Sequence, residues 1–164
     1  MATGRFEEEM LALLPRLRRF ARSLTRDQAD ADDLSQLSVE RALKARDQWQ
    51  PGTRLDAWMY RIMRNIWIDE ARARARRAQT FAPAEEGLSV GDDGHEAIER
   101  NVAMNDVDRA MAKLPDEQRE VIALVLVEGL AYKEAAEILE IPMGTLTSRL
   151  VRGRQALVQM LEAA

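Results

Sequence analysis

From Gln79 to Gly94 the chain shows no apolar period, and those sixteen residues hold Pro83, Gly87, Gly91, Gly94 and four carboxylates. On both sides the apolar residues recur at helical spacing. A structureless stretch of that length does not belong inside a compact domain. It therefore divides the 164 residues into two small units. The expected boundaries are 1–78 for the first unit, 79–95 for a flexible linker and 96–164 for the second.

Both units read as helices only. Met10, Leu13, Leu14, Leu17, Phe20, Ala21 and Leu24 give a helical stripe over Glu7 to Leu24. Asp27 is placed to cap a second helix that runs to about Ala45, with a thinner stripe of Ala31, Leu34, Leu37, Ala42 and Ala45. Pro51-Gly52 marks a turn, Thr53 offers an N-cap hydroxyl with Asp56 three residues on, and a third helix is expected from Arg54 to about Ala78. Beyond the linker, the pattern predicts helices over Glu96 to Lys113, from Pro115 to just before Gly129, over Tyr132 to Leu139, and from Gly144 to Leu161. The run Val121 to Val127 is apolar enough for a strand. Its place between Pro115 and Gly129, with Asp116, Glu117 and Glu120 in the first turns, favours a buried helix. The expected fold class is all-α, with a helix-turn-helix in the second unit.

Composition removes several kinds of chemistry. There is no Cys, which excludes thiol catalysis, disulfide scaffolds and cysteine zinc sites, and a single His excludes a multi-histidine metal site. No apolar run reaches the ~18–20 residues of a membrane span, and residues 1–9 lack the pattern of a secretory signal. The expectation is a cytoplasmic chain with no membrane insertion. Asp30, Asp32 and Asp33 border a helix start, which accounts for them electrostatically without a metal or an acid–base role, and His95 reads as a solvated side chain. No catalytic residue, metal or cofactor is expected.

The net charge of −4 speaks at first against a nucleic-acid partner, but it is unevenly spread. Residues 1–80 carry 16 basic and 12 acidic side chains, and residues 81–164 carry 8 and 16. Residues 61–77 hold six Arg against Asp69 and Glu70, whereas 78–120 hold 4 basic and 11 acidic groups. Local potential steers a charged ligand once screening removes distant charges beyond ~8–10 Å.

Two segments suit DNA. On the third helix Arg61, Arg64, Asn65, Arg72 and Arg76 share an arc of roughly 120°, while Leu55, Met59, Ile62 and Ile66 face inward and Trp58 borders both groups. Guanidinium groups in a row suit phosphates, and Asn65 could read a base edge. Trp49, Trp58 and Trp67 beside them are ingredients of a base-stacking site. A solvated helix face with buried tryptophans is the alternative, and for each Trp alone core packing is favoured. In the last helix Leu146, Leu150, Leu157 and Leu161 fall on one face, with Thr145, Ser148, Arg149, Arg152 and Gln155 opposite. Gly153 on the packed side could allow close approach to the preceding helix. The layout fits a helix-turn-helix, and an ordinary helical hairpin is the alternative.

The stretch Arg54-Leu-Asp-Ala-Trp-Met-Tyr-Arg-Ile-Met-Arg-Asn-Ile-Trp-Ile-Asp69, followed by its Arg cluster, resembles the promoter-melting segment of bacterial extracytoplasmic-function (ECF) sigma factors. Leu114 to Ile122, Gly129 to Ala136 and Gly144 to Arg154 resemble that family's second conserved domain. The resemblance implies two helical domains, region two and region four, that bind core RNA polymerase and a two-part promoter. It places Asp33, Gln36 and Arg41 against the polymerase clamp, and implies contacts with both the clamp and the flap of the large subunits. It makes Trp49 to Leu55 the loop that captures a flipped −10 base, with Arg54, Trp58 and Asn65 nearby and Arg61, Arg64, Arg72 and Arg76 on the DNA backbone. Thr145, Thr147, Ser148, Arg149 and Arg152 would meet the −35 element. It also implies an anti-sigma partner. Ala131 stands where the family usually has a capping Ser, and Glu140 where the turn often has Gly.

The leading expectation is a promoter-specificity subunit without catalytic activity of its own. The alternative is a polymerase-independent helix-turn-helix regulator, which has no need of a melting surface. The charge split further suggests that the acidic 78–120 stretch helps hold the two domains together in the free chain.

Overall fold

A computed structural model describes residues 2–80 and 106–163. The first unit comprises α1 (Ala2–Leu24), α2 (Gln28–Lys44), a short 3-10 turn (Arg46–Gln48) and α3 (Leu55–Thr80). The second comprises α4 (Asp106–Lys113), α5 (Asp116–Ile122) continuing through a π-helical turn (Ala123–Val127), α6 (Tyr132–Leu139) and α7 (Met143–Ala163). Among the described residues there is no strand. Helix α3 runs two residues past 78, and the rest of the expected linker, His95 and the stretch 96–105 lie outside the described residues.

Local chemistry sets most of the boundaries. Asp27 caps α2, its carboxylate accepting the Asp30 N–H at 2.8 Å. Thr53 does not cap α3; its hydroxyl donates back to the Gln50 carbonyl at 2.6 Å and closes the Pro51-Gly52 turn instead. Helix α6 starts at Ala131 without a side-chain cap. It ends on Glu140, which takes the left-handed conformation (φ 56°) that Gly adopts at no steric cost. The turn predicted around Glu140 therefore forms without its Gly.

The first core gathers Met10, Leu17, Phe20, Ala21, Leu24, Ala31, Leu34, Ala42, Leu55, Met59, Tyr60, Met63 and Ile66. Leu37, assigned inward by its spacing, is exposed and lines the groove between α2 and α3. From the second unit Ala110, Met111, Leu114, Val121 to Val125, Ala135, Ile138, Leu139, Leu146, Leu150 and Leu157 join the same apolar cluster, which is continuous across both units. Val107 and Leu161 lie at its margin and stay exposed. Gly153 does permit a close approach, though to α5 rather than to α6. A Cβ there would stand 3.0 Å from Ile122 Cγ1.

The two units meet along one seam. Helix α1 packs on α4, α5 and the π-turn, and α3 packs on α6. Arg119, fully buried, helps close it. Its guanidinium donates to the Met111, Ala112 and Leu114 carbonyls at the end of α4 and to the Leu24 carbonyl at the end of α1. These are carbonyls that a helix end leaves without partners, so one side chain finishes two helices and joins the units.

Candidate nucleic-acid interface

Helix α3 presents the arginine row because its apolar residues are drawn inward. Arg61, Asn65, Arg72 and Arg76 are exposed. Arg64 is half-buried, because Glu120 of α5 covers it with an Nε–Oε2 separation of 3.1 Å. Arg61 donates to the Glu137 carbonyl of α6 at 3.0 Å. Arg54 holds Asp56 through two bonds of 2.7 and 3.0 Å and reaches Glu134 of α6. The row is thus divided: its N-terminal members Arg61 and Arg64, like Arg54 just ahead of the helix, are engaged by the second unit. Arg72 and Arg76 lie further along α3.

The loop before α3 rests on an aromatic cluster. Phe6 packs against Trp49 at 5.7 Å between ring centroids and against Trp58 at 6.0 Å, nearly edge-on. Both tryptophans are part-buried, in keeping with the core role favoured for each. The Trp49 indole N–H is enclosed with no hydrogen-bond acceptor among the described residues. Asp56 anchors the other end of the loop. Burial pushes its carboxyl up, but bonds from Arg54 and Arg16 and the Ala57 N–H outweigh that and hold it below the usual range.

On α7, Thr147 and Arg152 are exposed, while Thr145, Ser148 and Arg149 are half-buried. Thr147 Oγ1 donates to its own helix at Met143, and Arg149 leans on Glu117 of α5 at 3.3 Å. Asp33, Gln36 and Arg41 all stand exposed on α2. Asp33 and Gln36 line an open groove of about 490 Å³ against α3, with Glu40, Arg74 and Arg77.

Sequence reasoning missed the carboxylates that face region two. Glu128 has no side-chain exposure; it accepts from Arg19 Nε at 2.8 Å, Arg19 Nη2 at 3.0 Å and the Tyr60 hydroxyl at 2.7 Å. The π-turn adds a residue to the helical turn just before Glu128 and so resets its direction. Tyr60 is itself fixed, stacked edge-on against Phe20 at 5.0 Å with the Arg16 guanidinium over its ring. Burial and the Glu128 contact push its hydroxyl well above the usual range. Burial also raises Glu120, with Arg64 offsetting part of the shift. One signal was available: Glu120 and Glu128 bracket the apolar run Val121–Val127, where a carboxylate tends to be drawn under cover.

Comparison with known proteins agrees with this geometry. Residues 10–77 match the Sigma-70 region 2 family and residues 104–157 match Sigma-70 region 4. The ECF RNA polymerase sigma factor EcfG of Rhodopseudomonas palustris is 35% identical over 159 residues, covering 97% of this chain and 86% of that protein. The sigma factor RpoE of Bartonella quintana, solved in complex with the anti-sigma factor NepR, superposes with a TM-score of 0.78 at 31% identity, over 96% of this chain and 97% of that one. CnrH, solved with the cytosolic domain of CnrY, gives 0.66 at 26% identity, over 96% and 88%. The chain belongs to the ECF family of RNA polymerase sigma factors.

Proposed function

We propose that this sigma subunit reads a two-part promoter with two separate surfaces. The loop Trp49–Leu55 and the α3 face capture and hold the −10 element, and α7 enters the major groove of the −35 element. Asn65 and the aromatic cluster handle an unstacked base, Arg61, Arg64, Arg72 and Arg76 hold its backbone, and Arg54 borders the pocket. Extruding a base costs a few kcal/mol, which a close pocket and backbone charge can offset. Thr145, Thr147, Ser148, Arg149 and Arg152 serve the −35 side. Asp33, Gln36 and Arg41, along the α2 groove, take the polymerase clamp, and region four takes the flap. The chain works in the cytoplasm with polymerase, without catalysis of its own, and an anti-sigma factor restrains it; in support, the relative RpoE was solved with the anti-sigma factor NepR and CnrH with the cytosolic domain of CnrY.

The observation that carries this reading is the pairing in one chain of an arginine-lined α3 beside an aromatic-backed loop with a helix-turn-helix. A simple repressor has no use for the former. The test is transcription by purified core polymerase on a library of promoter fragments. Selective initiation that depends on this chain supports the reading. Promoter binding without polymerase, together with unchanged initiation, would establish the polymerase-independent regulator instead.

A further inference from the structure

The loop assigned to base capture is held from outside itself, by helix α1. Near the start of α1 Phe6, 3% exposed, packs on Trp49 at 5.7 Å and on Trp58 at 6.0 Å. It so touches a residue on either side of the Pro51-Gly52 turn. The next residue, Glu7, accepts from Arg46 at 3.3 Å, just ahead of the loop. About 15 Å further along α1, Arg16 donates to Asp56 at 2.9 Å, just behind the loop. We propose that α1 is a splint for the −10 loop, in which Phe6 is a positioning residue for base capture and Glu7 and Arg16 fasten the two ends. This rests on the −10 role given to Trp49–Leu55 above.

The loop does not fix its own place. Gln50, Pro51, Gly52, Thr53 and Arg54 are all exposed. The Thr53 N–H and hydroxyl both donate to the Gln50 carbonyl, at 3.1 and 2.6 Å. Those bonds close the turn on itself and leave its position against α3 undetermined. Hydrogen bonding does not orient Trp49 either, since its indole N–H has no acceptor among the described residues. Packing has to do so, and the ring that packs on it is Phe6. Tilted and edge-on aromatic pairs of this kind contribute beyond the area they bury. A recognition site needs such support, because its groups must be held to within about 0.5 Å of the productive geometry. Phe6 is too deeply buried to touch a nucleotide, so its effect passes through Trp49 and Trp58.

The experiment compares Phe6→Ala and Phe6→Leu with the original chain, each as the full chain assembled with core polymerase. The probe is a fluorescein-labelled single strand that carries the −10 element of a promoter selected as above. In a matching series each base in turn is replaced by an abasic site. With the original chain, one abasic position is expected to weaken binding about tenfold and so to mark the captured base. With Phe6→Ala the intact strand is expected to bind more weakly, while that penalty shrinks to about twofold, because a displaced pocket gains little from the base. Phe6→Leu keeps the apolar volume without the ring, and its penalty is expected to lie between the two. A Phe6→Ala loss equal on every strand, intact or abasic, would overturn the proposal, since a general support of the fold would act in that way. Should Phe6→Ala fail to assemble with polymerase, Phe6→Leu decides by the same criterion: a reduced penalty supports the splint and an unchanged one refutes it. An original chain indifferent to every abasic site would instead refute the −10 loop reading, and the splint would fall with it.

Discussion

Removing Arg19 should disturb the chain more than removing the charge it neutralises. Glu128 is wholly buried whereas Arg19 is 52% exposed, so the two partners of this pair are unequal. In Arg19→Ala the carboxylate loses both guanidinium bonds and keeps only the Tyr60 hydroxyl. Breaking a fully buried pair costs about 3–5 kcal/mol. Water can enter the space left by a half-exposed Arg, so about 2–3 kcal/mol is the fitting figure here. Glu128→Gln keeps the shape and an acceptor for Tyr60, and the released Arg19 turns to solvent; its cost should be near 1 kcal/mol.

This cost falls on docking rather than on folding. Opening the seam returns Glu128 to water and ends the penalty, so the loss cannot exceed the free energy of closure. Arg19→Ala should therefore shift the closed-to-open ratio by roughly 30-fold to 150-fold while each unit keeps its helices. Small-angle scattering provides the assay. A closed chain of this length has a radius of gyration of about 15 Å, and an open one is distinctly larger. Adding Glu128→Gln to Arg19→Ala should recover part of the closed population, because the stranded anion is gone. The reasoning is refuted if Arg19→Ala stays as compact as the original chain while Glu128→Gln opens, or if the double substitution is worse than either alone.

Other expectations concern single sites. Asp56→Asn should cost about 1–2 kcal/mol in urea unfolding at neutral pH. Since the folded carboxyl lies below its ordinary 3.8, that contribution is complete above this value and is lost as pH falls through the lowered one. The gap between the two chains should accordingly close in acid, and a gap independent of pH would deny the pairing. Ala131→Ser should gain about 1 kcal/mol in the same assay, since α6 begins there without a side-chain cap. Gly153→Ala should lose about 1 kcal/mol despite its better helix propensity, because the added methyl meets Ile122, which is itself buried; a gain would mean that Ile122 gives way. Arg152→Ala should weaken −35 binding by about 1–3 kcal/mol at one promoter position, and a loss uniform over sequences would make it a phosphate contact.

Periodicity and punctuation made the helices legible. Tyr132–Leu139 was legible from a Gly before it and a Pro after it, and Asp27 as a cap because its carboxylate stands just ahead of the helix, three residues before the Asp30 N–H that it accepts. Thr53 shows where local reasoning ends: the same hydroxyl could serve the helix ahead or the turn behind, and the tight Pro51-Gly52 turn brought the Gln50 carbonyl nearer. Leu37 and Val107 follow the right spacing, but spacing says which side of a helix a residue occupies and not whether a neighbour reaches that far. The α3 face was legible as a row; its division was not. Arg64 and Arg61 share one arc of the helical wheel, some 60° apart, and nothing local foretells that Glu120, 56 residues away, covers Arg64.

The net charge then has a structural meaning that the sum alone conceals. A value of −4 describes the chain when both units lie within a screening length of each other and their charges compensate pair by pair. Once the units separate beyond ~8–10 Å, each acts with its own field. Arg64 then loses Glu120, Arg54 loses Glu134 but keeps Asp56 of its own unit, and Arg61 loses only the Glu137 carbonyl, while Arg72 and Arg76 stay as they are. If the α3 face holds the −10 element as proposed, separation of the units would strengthen its attraction for DNA. Carboxylates that lower the pI of a DNA-binding chain do not weaken its site if they depart when the site is used. An acidic average is the natural signature of a basic site that carries its own removable counter-charge.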